Sequence, residues 1–228
     1  MSKKKDAHHE SGFETVESAL TRTEQYIEEN RKSLSIIITL IILVVGGYIA
    51  YKKLILGPKE IEAQSQIYRA EQYFEKDSFL LALEGDGDAY GFIDIIDDYS
   101  MTETGNLAQY YAGICYLRLG EYENAIEHLK NFDTNDRLVS TIAIGSIGDA
   151  YIELDELEKA VSFYEKAVSK NKNDFTTAIY LKKEGLAYEA LGNYKKALAA
   201  YEQIKREFPN SDEARDIDKY IQVATMKL

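Results

Sequence analysis

The sequence predicts an all-α protein in which one apolar N-terminal helix precedes a solenoid of short helix-turn-helix repeats with capping helices. Three observations carry that expectation. Residues 33–51 hold no charged side chain, and at about 1.5 Å rise per residue such a stretch matches a hydrocarbon core of about 30 Å. Glycine, tyrosine and alanine then recur together at nearly constant spacing between residues 111 and 209. Finally, only 2 prolines interrupt 228 residues, which leaves room for long helices.

Residues 1–33 are polar. Ser11 to Asn30 forms a weakly amphipathic helical pattern through Phe13, Val16, Leu20 and Ile27, read as a solvated lead-in, and His8 and His9 read as tail residues. The expected transmembrane helix covers residues 34–56. Leu34 to Ala50 is mostly Ile, Leu, Val and Gly, and Leu54, Ile55 and Leu56 extend it. Lys52 and Lys53 can snorkel to the interface, where Tyr48 and Tyr51 suit an aromatic belt. A core helix seldom stays apolar on every face for so long. A cleaved signal peptide would be shorter, with a small-residue cleavage site. Orientation is open from charge alone: Arg31 and Lys32 flank one side, Lys52, Lys53 and Lys59 the other.

Residues 57–105 read as a long helix followed by a degenerate helical hairpin. Ile61 to Leu83 carries Ile67, Tyr68, Tyr73 and Phe74, and Asp88 to Tyr99 carries Phe92, Ile95, Ile96 and Tyr99 at i, i+3, i+4 and i+7. Residues 106–210 hold three repeats. Each reads Gly-x-x-Tyr, then a turn, then Ala followed by an apolar residue and an aromatic residue or Leu. The first has Gly113, Tyr116, Gly120, Ala125 and Leu129. The second has Gly148, Tyr151, Asp155, Ala160 and Tyr164; the third has Gly185, Tyr188, Gly192, Ala197, Tyr201 and Pro209. Glycine admits a neighbouring helix where any Cβ would clash, and Gly120 and Gly192 suit left-handed helix caps. This is the tetratricopeptide pattern, of period about 34 residues. Residues 211–228 read as a C-terminal capping helix, with Asn210 and Glu213 resembling a capping box and Ala214, Ile217 and Ile221 as its apolar stripe.

Charge narrows the function. The chain has 27 Lys+Arg against 39 Asp+Glu, a formal net charge of −12. The asymmetry is internal: residues 1–59 carry 9 and 7, residues 60–228 carry 18 and 32. A domain so acidic repels phosphate backbones, so no nucleic-acid partner is expected. Cys115 is the sole cysteine and cannot form an internal disulfide; beside Tyr116 it reads as a buried inert thiol. No catalytic, metal or cofactor motif emerges, and His128 has no nucleophile motif near it. Asp86 to Asp97 partly fits a calcium loop, but Tyr90 stands where a ligand belongs and Asp97 replaces the bidentate Glu, so it reads as a Gly-rich turn before a helix.

What remains is a non-enzymatic binding surface. The first helix of each repeat is expected to line a concave groove through residues six before, three before, one after and four after the packing glycine. These are Leu107, Tyr110, Ile114 and Leu117; Ile142, Gly145, Asp149 and Ile152; and Ile179, Lys182, Leu186 and Glu189. The row is largely apolar and suits an apolar peptide segment or a partner helix, unless the preceding hairpin covers its first members. Tyr110 and Ile114 stand where a clamp for chaperone-tail carboxylates would need basic and Asn residues, which excludes that ligand class.

The layout resembles the YfgM family of ancillary Sec-translocon subunits, in its Bacteroidetes-type branch. The resemblance rests on Ala70-Glu71-Gln72-Tyr73-Phe74-Glu75-Lys76-Asp77-Ser78-Phe79, Ala82-Leu83-Glu84-Gly85-Asp86-Gly87 and Leu107-Ala108-Gln109-Tyr110-Tyr111-Ala112-Gly113, and spans roughly residues 14–228. It implies a single-pass protein of the bacterial inner membrane, N-terminus cytoplasmic and repeats periplasmic. It further implies association with the SecYEG translocon and a PpiD-like chaperone, with emerging unfolded polypeptides as a further class of client; membrane lipid would surround residues 34–56. Two other arrangements fit the same residues: a cytosol-facing import receptor, and an assembly scaffold of another membrane complex.

Overall fold

The computed structural model describes residues 26–173 and 175–228, so most of the Ser11–Asn30 pattern, with His8 and His9, lies outside the described residues. The chain divides at Gly57 into two compact units.

The first unit is dominated by α1 (Arg31–Tyr51), followed by a π-helical turn, Lys52–Leu56. None of the residues of α1 is buried. It is long and apolar enough to cross a membrane. Two of its hydroxyl side chains are satisfied within the helix: Ser35 Oγ donates to the Arg31 carbonyl and Thr39 Oγ1 to that of Ser35, each at 2.8 Å. Such internal bonds let a polar side chain sit in an apolar medium.

The second unit is all helix among its described residues: α2 (Gly57–Glu75, entering the unit at Pro58), α3 (Phe79–Glu84), α4 (Phe92–Tyr99), α5 (Glu103–Leu119), α6 (Tyr122–Asn131), α7 (Arg137–Glu153), α8 (Leu157–Lys170), α9 (Thr176–Ala190), α10 (Tyr194–Glu207) and, after a 3-10 turn at Glu213–Arg215, α11 (Ile217–Met226). The pairs α5/α6, α7/α8 and α9/α10 are the three repeats. Their short turns have local causes. Gly120 adopts φ 82° at the end of α5. Asp155 takes the same left-handed conformation at φ 59° where the second repeat lacks glycine, a conformation that short polar side chains tolerate. Asp136 caps α7, its Oδ1 accepting from the backbone N–H of Leu138 and Val139 at 2.8 and 2.9 Å.

The packing glycines do what their spacing predicts. A Cβ on Gly113 would lie 2.5 Å from Leu129 Cγ, on Gly148 2.6 Å from Tyr164 Cε1, and on Gly185 2.2 Å from Tyr201 Cε1. In each repeat the second helix therefore presses a large side chain into the space its first helix leaves empty. Ala125, Ala160 and Ala197 are fully buried beside them. The buried side chains form two clusters: one runs from Ile126 through the repeats to Ala224, the other joins α2, α3 and α4 to α5. In the second, Phe92 stacks on Tyr111 at 4.9 Å while Phe74 meets Phe79, Phe92 and Tyr111 edge-on.

Three local expectations are corrected. The long helix expected over Ile61–Leu83 breaks after Glu75. Asp77 turns left-handed at φ 56°, and the Ser78 N–H returns to the Tyr73 carbonyl at 2.9 Å, a Schellman-type stop that frees Phe79 to pack on Phe74. The helix expected from Asp88 starts only at Phe92. Asp86 Oδ1 accepts from the N–H of Asp88 and Ala89, holding the intervening loop, and Asp94 caps α4 through the Gly91 N–H. The Tyr73 hydroxyl, donating at 2.5 Å, and these N–H groups hold the Asp86 carboxyl below the usual carboxylate range. The capping residue after α10 is Ser211 rather than Asn210: its Oγ accepts from the Ala214 N–H and donates to the Phe208 carbonyl.

Candidate binding groove

A groove of about 590 Å³ opens between α5 and α7, with α9 contributing one side chain. Its walls are Tyr110, Ile114 and Leu117 from α5 and Ile142 and Ile152 from α7. Tyr110 is oriented by rings on either side, Phe132 at 5.3 Å and Tyr111 at 5.7 Å. That volume is in the range of specific ligand pockets.

The polar part of the lining is largely satisfied internally. Lys183 Nζ lies 2.7 Å from both carboxylate oxygens of Asp149, and the Tyr164 hydroxyl donates to Asp149 Oδ1 at 2.8 Å. Burial, followed by the neighbouring Asp149 carboxylate, pushes the Tyr164 phenol well above its ordinary pKa, so it stays a donor. At the other end of the groove Tyr122 donates to Glu153 Oε2 at 3.3 Å, tying the turn after α5 to the C-terminal end of α7. Arg118 completes that end.

Nothing in this arrangement supplies a nucleophile with a base. Cys115 is fully buried in the other cluster, and burial pushes its thiol up to about 12. His128 stacks on Tyr116 at 5.2 Å with its Nδ1 2.7 Å from Gln109 Oε1, and burial lowers its pKa. No group of His, Cys, Asp and Glu able to hold a metal occurs among the described residues.

The structure brings together six of the twelve residues expected to line the groove: Tyr110, Ile114, Leu117, Ile142, Asp149 and Ile152. Leu107 is set apart, in a crevice between α2 and α5 with Ile67, Gln64 and Glu71. The third-repeat members do not join the groove. Lys182 pairs with Asp216 at 2.8 Å and lies 4.7 Å over the Tyr220 ring, so the C-terminal segment occupies its side of the helix. Ile179 is half-buried, Glu189 keeps one carboxylate oxygen buried, and Leu186 is exposed. Gly145 cannot take part, because the Tyr180 ring fills the space where its Cβ would stand. Ser146, Lys183, Arg118, Glu153, Tyr122 and Tyr164 line the groove without having been expected to. The first four follow a rule visible in the repeats: they stand two before or five after a packing glycine.

Fold and groove together define a TPR-like helical solenoid. The tetratricopeptide repeat family matches the chain at residues 107–135 and 183–211, and a second model of the same repeat matches residues 143–174. These are the three sequence repeats. No curated protein matches the chain significantly. Among solved structures, a Podosopora anserina chain of nearly identical TPR-like repeats, of kinesin-light-chain type, is similar at TM-score 0.54 and 14% identity, covering 73% of this chain and 86% of that one. The crystal structure of MamA protein is similar at TM-score 0.50 and 22% identity, covering 75% and 92%. Both are likenesses of fold. Repeats of this kind imply a scaffold for protein–protein interaction rather than a catalyst.

Proposed function

We propose that this chain is a membrane-anchored, non-enzymatic scaffold of the Sec translocon, binding a PpiD-like chaperone, or a segment of an emerging polypeptide, in the α5/α7 groove. The observation that carries the reading is an open groove, walled by Tyr110, Ile114, Leu117, Ile142 and Ile152, on a repeat domain whose chain also carries an apolar helix of spanning length. The resemblance of the segment before the repeats to YfgM-type proteins supplies the translocon, the bacterial inner membrane and the orientation, with the repeats in the periplasm. In that arrangement α1 keeps the groove close to the membrane exit, raising the effective concentration of whatever leaves the channel.

The test is crosslinking in intact membranes with identification of the adducts by mass spectrometry. Recovery of SecY, SecE, SecG or a PpiD-like chaperone is the expected result, reduced by Ile114→Asn and Ile152→Asn. Recovery of a different complex would discard the translocon reading and leave a membrane-anchored scaffold, and protease accessibility of the repeats from the cytosolic side would overturn the orientation.

A further inference from the structure

The groove has walls of Tyr110, Ile114, Leu117, Ile142 and Ile152 within a polar lining whose charges balance, yet it sits in an acidic domain, and its edges differ. Within the lining, Lys183 is matched by Asp149 and Arg118 by Glu153 in number of charges. The edge at the C-terminal ends of α5 and α7 is different. The short turns make α5 and α7 run in the same direction, as the Tyr122 to Glu153 bond at their common end requires. The negative dipole ends of both helices therefore collect on one side of the groove. The turns that follow add Glu121 and Asp155, exposed, beside the exposed Glu153. Glu156, also in the turn, is paired with Lys159. Against these carboxylates the edge offers Arg118 alone from the lining. At longer range, residues 60–228 carry 18 basic against 32 acidic side chains.

We infer that the occupant of the groove is an apolar peptide segment flanked by Lys or Arg, its apolar side chains lying between Tyr110, Ile114 and Ile152 and its basic flank over the edge formed by Glu121, Glu153 and Asp155. This rests on the reading of the groove as the partner site and adds the chemistry of the partner. Apolar contact supplies the grip. The acidic edge and field select against acidic segments and speed the approach of basic ones.

The experiment uses the full chain in nanodiscs of zwitterionic lipid, with empty discs as the blank. Three labelled peptides of equal length are compared: a Leu/Phe core with Lys flanks, the same core with Glu flanks, and a Ser core with Lys flanks. At low salt the Lys-flanked apolar peptide binds at least about tenfold tighter than the Glu-flanked one, and the gap narrows as salt shortens the screening length. Ile114→Asn weakens the Lys-flanked apolar peptide, and the double change Glu153→Lys with Asp155→Lys removes its advantage. Equal or tighter binding of the Glu-flanked peptide overturns the inference, as does equal binding of the Ser-core peptide. If the Glu-flanked peptide binds as well and remains sensitive to Ile114→Asn, the groove stands and only its charge preference falls. If no peptide binds, the inference falls, and the membrane crosslinks from the groove decide separately whether the partner site falls with it.

Discussion

The first and third repeats carry the same sequence pattern, but their first helices meet different neighbours. Around Gly113 the residues predicted to face a partner mostly do line an open groove, with Tyr110, Ile114 and Leu117 along one wall. Around Gly185 the equivalent Lys182 is engaged by Asp216 and Tyr220 of the C-terminal segment. A repeat fixes which side of a helix is turned inward. Whether that side meets solvent is decided by the capping elements, which obey no repeat. The same holds at the other end, where Leu107 falls into the crevice against α2. There Glu60 reaches over to cap α5, its Oε2 accepting from the Glu103 N–H at 2.8 Å and its Oε1 from the Thr104 hydroxyl at 2.6 Å. These bonds hold the Glu60 carboxyl below its usual pKa in spite of the desolvation that opposes them.

The largest expected effect tests what the repeats share. Gly185→Leu must displace the fully buried Tyr201 ring, and overpacking of this kind costs about 1–3 kcal/mol or more. Chemical denaturation of the repeat domain's helical signal should show the midpoint fall accordingly, and the corresponding change at Gly148 against Tyr164 should behave alike. An unchanged midpoint would mean that the helices are not held at this spacing.

A smaller effect distinguishes the third repeat from the first by pH. Glu184, at the packing Gly185, is desolvated and faces Glu165, with Lys196 opposing them; its carboxyl is pushed up to about 7. Tyr188 donates to Glu165 at 2.5 Å and accepts from Lys196 at 3.0 Å, so the same cluster carries a hydrogen-bond chain. A carboxyl whose folded pKa exceeds its unfolded value near 4.5 binds protons more tightly when folded. Its contribution is thus fully present at low pH and lost as pH rises from about 4.5 through about 7. Glu184→Gln should flatten this slope and add about 1–2 kcal/mol at pH 8, less than the full shift implies because the carboxylate keeps some solvent. Denaturation midpoints at pH 5 and pH 8 read it directly, and an identical pH slope in wild type and variant would refute the assignment.

Smaller again, Lys182→Ala removes an ion pair whose Asp216 side chain is half exposed, and should cost no more than about 1 kcal/mol while leaving groove binding intact. A loss of groove binding would show that the two faces are not independent. Cys115 should change nothing measurable: native protein at pH 8 resists thiol reagents, and denaturant restores labelling.

Much of this was legible beforehand because it depends on local spacing. The packing glycines and the left-handed turns at Gly120 and Gly192 follow from residues within one repeat. What escaped depends partly on contacts distant in sequence and partly on turns and caps outside the repeat pattern. Lys183 belongs to the groove because Asp149 lies 34 positions earlier on a neighbouring helix. The break after Glu75 follows from Asp77 accepting a left-handed turn so that Phe79 can reach Phe74. Asn210 lost its expected cap role to Ser211, one residue on, because the Ser211 hydroxyl can also bond the Phe208 carbonyl.

Site-specific photo-crosslinking in intact membranes compares the two faces most directly. A photoreactive side chain at Ile114, Leu117 or Ile152 should give strong adducts with one partner, and the same probe at Ile179 or Lys182 should give few. Adducts of equal strength from both sets, or from the third repeat alone, would contradict the central claim that the α5/α7 groove is the open binding face.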